Sequence, residues 1–237
     1  MFYVLNALFW FLTWLPLRLL YIISDIFFPI VYYIVRYRRN VVKTNLAKSF
    51  PEKTEKERRN IEIKFYRFFC DLFVETLYEM HISQKEIHRR MTFGNLEAIL
   101  EQNAKHKSVM IMTAHYGNWE WTLAFSLFSQ EEYPSNPIYK KLRNERADKL
   151  IEKSDLLRVM FRLQKENEVG NFWMISDQTP NARYIHYWTP FLHQDTPTLT
   201  GTEQLAKKFD FPVFYAEINR VKRGYYHCEF IPIALEP

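Results

Sequence analysis

The feature that most constrains this chain is its opening. Residues 1 to 35 contain two charges, Arg18 and Asp25, and the run from Met1 to Leu17 contains none. A segment so poor in charge has to be buried in protein or in lipid. A cleaved signal peptide fits poorly. No basic region precedes the apolar run, and no small-x-small cleavage site closes it. One straight membrane-crossing helix needs roughly 20 clean apolar residues. Pro16 and Pro29 interrupt the stretch, and Asp25 is costly at the centre of a bilayer. The segment therefore reads as an anchor, residues 1–35, entering the membrane or lying in its interface as two kinked helical pieces. The alternative is a buried apolar hairpin of a soluble protein.

The charge then changes abruptly. Residues 36 to 59 carry Arg36, Arg38, Arg39, Lys43, Lys48, Lys53, Lys56, Arg58 and Arg59 against Glu52, Glu55 and Glu57. A basic cluster directly after an anchor favours anionic headgroups and places that side in the cytoplasm. Nucleic acid would also attract such a cluster, but no nucleic-acid motif accompanies it. The aromatic content of 17% suits a chain that meets lipid. Cys70 and Cys228 form no C-x-x-C pair, which agrees with a reducing compartment and gives no zinc cage.

Residues 36–237 read as one α/β domain, with a mostly parallel or mixed central sheet flanked by helices. Apolar residues Ile61, Phe65, Phe68, Phe69, Leu72, Phe73, Leu77 and Met80 recur at spacings of three and four, with Arg67, Asp71, Glu75 and Glu79 between them. That pattern predicts a long amphipathic helix from Lys56 to Met80. Ser83 and Glu86 read as a capping box, and Asn95 as the cap of a helix running through Asn103. Strands are expected at 108–113, 136–139, 172–175, 212–218 and 225–231. Helices are expected at 119–128, 144–165 and 201–209.

The stretch Met110 to Trp121, MIMTAHYGNWEW, stands apart. In α/β sheets, ligands gather beyond the carboxyl ends of the strands. His115 falls there, Gly117 permits a sharp turn, and Asn118 is placed to cap the next helix. Glu120 stands five residues after His115, so a tight turn brings its carboxylate back toward the imidazole. A carboxylate on one ring nitrogen fixes the tautomer and leaves the other nitrogen to take a proton. The segment is not H-E-x-x-H, no G-x-S-x-G elbow supplies a serine, and there is no glycine-rich phosphate loop. A base without an evident protein nucleophile suggests that a substrate hydroxyl attacks. A purely structural strand-to-helix turn is the competing reading.

These residues resemble the late acyltransferases of lipid A biosynthesis, the lauroyl/myristoyl acyltransferase family. His115-Tyr-Gly-Asn-Trp-Glu120 looks like the family's H-x-x-x-x-D/E motif. Residues 35 to 53 (VRYRRNVVKTNLAKSFPEK) are similar to its segment after the anchor. IYKKLRN at 138–144 resembles its Y-R/K-P-L-x-N block, and Asp177-Gln178 its Asp-Gln block. TPFLHQDTPTLTGTEQLAKK resembles the segment beyond. The dyad motif is shared with glycerol-phosphate acyltransferases, so the combination carries the specificity. Two departures stand out. Lys141 replaces the usual Pro, and the chain ends at Pro237, before a Trp- and Arg-rich tail that is therefore expected to be missing.

The resemblance implies a glycerol-phosphate-acyltransferase-like fold at the bacterial inner membrane, with its catalytic domain on the cytoplasmic side. It implies transfer of a fatty acyl chain from acyl carrier protein to a hydroxyl of a lipid A precursor, without cofactor or metal. His115 is then the general base and Glu120 its orienting partner. Lys140 and Arg143 are candidates for binding phosphate or phosphopantetheine, and Asp177 for organising the site from the next strand end. Two alternatives remain: the same fold acting on an aminolipid or glycerolipid, and a non-enzymatic membrane adaptor. The histidines at 81, 88, 106, 186, 193 and 227 show no metal spacing.

Overall fold

The computed structural model describes residues 10–124 and 155–237. The expected strand at 136–139, most of the helix from 144, Lys140, Lys141 and Arg143 lie outside the described residues. The chain forms two compact units. One comprises the described residues up to Ser83 together with Trp188–Pro197. The other comprises those from Gln84 to Tyr187 together with Thr198–Pro237.

In the first unit, a helical turn at 10–13 ends before Pro16, as the proline predicts. Helix α1 (Leu17–Pro29) comes next. Pro29 does not break the chain into a second piece. It keeps helical angles (φ −62°, ψ −33°), and the helix widens into a π-helix over Ile30–Val35. Such local widening is a known way to carry a proline within an apolar helix. Leu17–Val35 is thus one helical stretch of 19 residues with a mean hydropathy of 1.7, long and apolar enough to cross a membrane. Arg36 and Arg38, both at positive φ, then turn the chain into α2 (Arg39–Ser49).

Helix α3 (Glu55–Glu79) opens with a capping box that the sequence reading missed. The Thr54 hydroxyl accepts from the Glu57 N–H, and the Glu57 carboxylate accepts from the Thr54 N–H. The periodicity of α3 is as expected, but its orientation is not. The buried side chains include Glu62, Asp71 and Glu75 beside Tyr66, Cys70 and Val74, whereas Phe65, Phe69 and Phe73 are exposed. The polar residues turn inward because α1 and α2 meet them with donors. Ser24 Oγ donates to Asp71 (2.8 Å), Tyr21 Oη to Glu75 (2.6 Å) and Arg39 Nε to Glu62 (2.6 Å). A carboxylate can be buried at tolerable cost only with partners of this kind. Strands β4 (Tyr187–Phe191) and β5 (Gln194–Thr198) form a hairpin, also missed in the sequence.

The second unit contains α4 (Gln84–Arg90), β1 (Met91–Gly94), α5 (Leu96–Ala104), β2 (Val109–Thr113), α6 (Leu156–Lys165), β3 (Asn171–Ile175), α7 (Gly201–Phe209), β6 (Val213–Lys222) and β7 (Tyr225–Ala234). Its sheet has the order β1-β7-β6-β2-β3. Three of the neighbouring pairs are parallel, and β6–β7 is antiparallel. This is the mixed α/β sheet expected. β2 is apolar on both faces, as a central parallel strand requires. On one face Met110, Phe172 and Val213 pack with Met160 of α6 and Ala206 and Phe209 of α7. On the other, Ile111, Phe214, Ala216, Ile218, Cys228 and Phe230 are buried. The methionines and aromatics of β2 and β3 are thus largely core. Asn95 does precede α5, but at φ 56° and without a side-chain cap; its amide donates instead to the Phe230 carbonyl (2.7 Å).

Candidate active site

The site arises from the register of two parallel strands. Thr113, the last residue of β2, lies beside Ile175, the last residue of β3. The Ser176 N–H donates to the Thr113 carbonyl (3.1 Å), which carries the pairing one step further. His115 and Asp177 each stand two residues beyond their strand, so this register delivers them to the same place. The Asp177 carboxylate uses both oxygens on His115. Oδ2 accepts from the backbone N–H at 2.9 Å, and Oδ1 lies 2.7 Å from ring Nδ1.

This two-point grip sets the tautomer. An ionised carboxylate only accepts hydrogen bonds, so Nδ1 must carry the proton that faces Oδ1. The neutral imidazole then presents Nε2 as its unprotonated nitrogen, which is the state a general base needs. The Trp119 ring meets the imidazole edge-on, with centroids 5.3 Å apart, and restricts its rotation. His115 and Asp177 remain about a third exposed (36% and 39% of their side chains), so a substrate can reach them. Burial, followed by the charges of Glu217 and Asp177, pushes the Tyr215 phenol above its ordinary range and keeps it neutral.

The turn that presents His115 is built from small local requirements. Gly117 sits at φ +65°, and a Cβ there would come within 2.8 Å of Ile218 Cγ2. Asn118, fully buried, accepts at Oδ1 from the Trp121 N–H (3.4 Å) and so caps the segment. That segment, Trp119–Ala124, is a 3-10 helix rather than the expected α-helix; the remainder of the expected helix lies outside the described residues. Gly117→Ala combines left-handed strain with overpacking against β6. It is expected to destabilise the protein by roughly 1–3 kcal/mol. The check is a lower melting temperature by circular dichroism, with acyl transfer reduced at temperatures where the variant is still folded.

Glu120 stands in the first turn of this 3-10 helix, partly buried. The H-x-x-x-x-E spacing gave Glu120 one ring nitrogen of His115 without saying which; Asp177 lies on Nδ1. Sequence reasoning placed Asp177 at the site but gave it no partner. The signal available was the equal two-residue offset of His115 and Asp177 from their strands. Among the described residues there is no cluster of three or more His, Cys, Asp or Glu able to hold a metal ion.

A histidine held by a carboxylate at the carboxyl ends of adjacent parallel strands meets a matching result from sequence comparison. The family profile described as bacterial lipid A biosynthesis acyltransferase matches residues 1–235. The chain belongs to this family. Among its relatives, the lipid A biosynthesis lauroyltransferase of Escherichia coli (strain K12) is 23% identical over 227 residues, an alignment covering 86% of this chain and 72% of the relative. As a member of the lipid A acyltransferase family, the protein is an acyltransferase of lipid A biosynthesis, and His115 to Glu120 fall within the matched region.

Proposed function

We propose that this acyltransferase moves a fatty acyl chain from acyl carrier protein to a hydroxyl of a lipid A precursor, with His115 as the base. The observation that carries the reading is the grip of Asp177 on His115, which fixes the protonated nitrogen and leaves Nε2 available. Nε2 takes the acceptor's hydroxyl proton as that oxygen attacks the thioester carbonyl. The tetrahedral intermediate collapses, the C–S bond breaks, and the imidazolium returns its proton to the departing thiolate. Asp177 holds the tautomer and stabilises the imidazolium. Glu120, one turn away in sequence, adds negative charge on the same segment. Lys140 and Arg143 are the proposed donors to phosphate or phosphopantetheine. Attachment is to the bacterial inner membrane through the opening segment, with the catalytic residues on the cytoplasmic side.

Support for the acyl donor comes from charge. The exposed cations Arg36, Arg38, Lys43 and Lys48 suit an acidic carrier protein as well as anionic lipid. The test is acyl transfer by the purified full-length protein in detergent, comparing acyl carrier protein and coenzyme A thioesters. The carrier thioester is expected to be preferred, and its rate to fall as salt shortens the screening length below about 10 Å. A salt-insensitive preference for the coenzyme A thioester would overturn the donor assignment. Replacing the lipid A precursor by an aminolipid or glycerolipid tests the acceptor in the same assay.

A further inference from the structure

The reversed orientation of α3 leaves a ridge to explain. Phe65, Phe69, Phe73 and Met80 are 44%, 37%, 52% and 67% exposed. At 3.6 residues per turn they fall in one narrow stripe. Lys64 and Arg67, also exposed, project from the opposite side, while Asp71 and Glu75 are turned into the seam with α1. From Phe68 to Met80 the sequence has no Lys or Arg. A soluble helix arranges its faces the other way, with aromatics inward and carboxylates outward. An apolar ridge opposed by cations is the pattern of a helix lying in a membrane interface.

We propose that α3 is a second membrane-contacting element, lying in the plane of one leaflet with the Phe65–Phe69–Phe73 ridge in the acyl region. The occupant of the ridge is lipid for two reasons. The unit it belongs to also carries the apolar helix α1, whose Leu19, Ile22, Ile26 and Phe27 are exposed. The same unit also carries the exposed cations Arg36, Arg38, Lys43 and Lys48, complementary to anionic headgroups. Lying in the plane is dictated by the connections of α3. The chain leaves this unit at Ser83, just past the C-terminus of α3. It returns as the β4–β5 hairpin, fastened by Gln194 to Ser49 (3.3 Å), and the neighbouring Phe50 carbonyl is held by Arg58 near the N-terminus of α3 (3.2 Å). Both ends of α3 are thus tied to segments that lead into the other unit. A bilayer-crossing α3 would oblige part of that chain to cross as well; an interfacial one would not.

This inference rests on the membrane reading of the opening segment and is independent of the acyl-transfer chemistry. The experiment places a nitroxide at Phe65→Cys, Phe69→Cys or Phe73→Cys in the full-length protein, on vesicles of phosphatidylglycerol and phosphatidylethanolamine. Lys64→Cys serves as the water-facing control. The native thiols Cys70 and Cys228 are buried, which directs the label to the introduced site. All three ridge labels are expected to collide with oxygen several-fold more than with a polar nickel complex, relative to Lys64→Cys, and to report similar depths. Depth that increases steadily from position 65 to 73 would mean crossing and overturn the in-plane arrangement. Water-facing labels on protein that still pellets with the vesicles would remove α3 from lipid and leave the anchor intact. Dipolar broadening between labels of different molecules would give the ridge to a second copy instead. Failure of the full-length protein to pellet at all would overturn both membrane readings, while acyl transfer in detergent would be untouched. Independently, Phe65→Ser/Phe69→Ser/Phe73→Ser, a change confined to exposed positions, is expected to lower vesicle partitioning roughly tenfold or more.

Discussion

A His115→Ala variant is expected to lose most acyl transfer, on the order of 10²–10⁴-fold, while folding as the native protein does. The size of the loss is set by the nucleophile. An alcohol is a weak nucleophile near neutral pH, and no protein group in the proposed scheme forms a covalent intermediate in its place. Without an acceptor for the proton, the attacking oxygen would develop positive charge as the new bond forms. The variant should fold because the ring is partly exposed and makes its contacts with Asp177 and Trp119 at the surface of the turn. The measurement is the initial rate of acyl transfer at equal concentration of folded protein, checked by circular dichroism and thermal melting. Near-native turnover, or inactivity that merely tracks unfolding, would return His115 to the status of a turn residue and move the site elsewhere.

The range of each interaction decides whether the sequence discloses it. β2, β3, β6, β7 and α7 are local patterns, and their residues announce them. The turn at Gly117 and Asn118 was also legible, because its positive φ and its cap are satisfied within a few residues. The partner of His115 was not, because it depends on strand register. A slip of one residue in the β2–β3 pairing would take Asp177 out of reach, and nothing in either strand's sequence states that register. The orientation of α3 was hidden for a related reason. Its periodicity fixes which residues share a face. Which face is buried depends on donors from another helix, Tyr21 and Ser24. The π-helical turn after Pro29 was equally hidden, because proline in an apolar helix can break, kink or widen it, and the local sequence is the same in each case.

The second large effect separates the two carboxylates that compete for the orienting role. Asp177→Asn is expected to lower turnover by roughly the same 10²–10⁴-fold as loss of the base, through the tautomer. Asp177 accepts two hydrogen bonds from His115, one per oxygen. Asparagine has one oxygen. The backbone N–H of His115 can only donate, so it claims that oxygen, and the amide NH₂ is left facing Nδ1. Two donors cannot share one bond, so Nδ1 gives up its proton and becomes the acceptor. The neutral ring then carries its proton on Nε2, the nitrogen that has to be bare for catalysis. Glu120→Gln does not force this exchange, since Nδ1 keeps its partner, and its effect on the tautomer is expected to be small. Nitrogen-15 shifts of the His115 ring report which nitrogen is protonated and are independent of turnover. His115→Ala combined with Asp177→Asn is expected to be no worse than the worse single variant, because the two act as one unit. If Asp177→Asn keeps near-native turnover and tautomer while Glu120→Gln falls as far as His115→Ala, then the orienting carboxylate is Glu120, as the H-x-x-x-x-E spacing alone suggests.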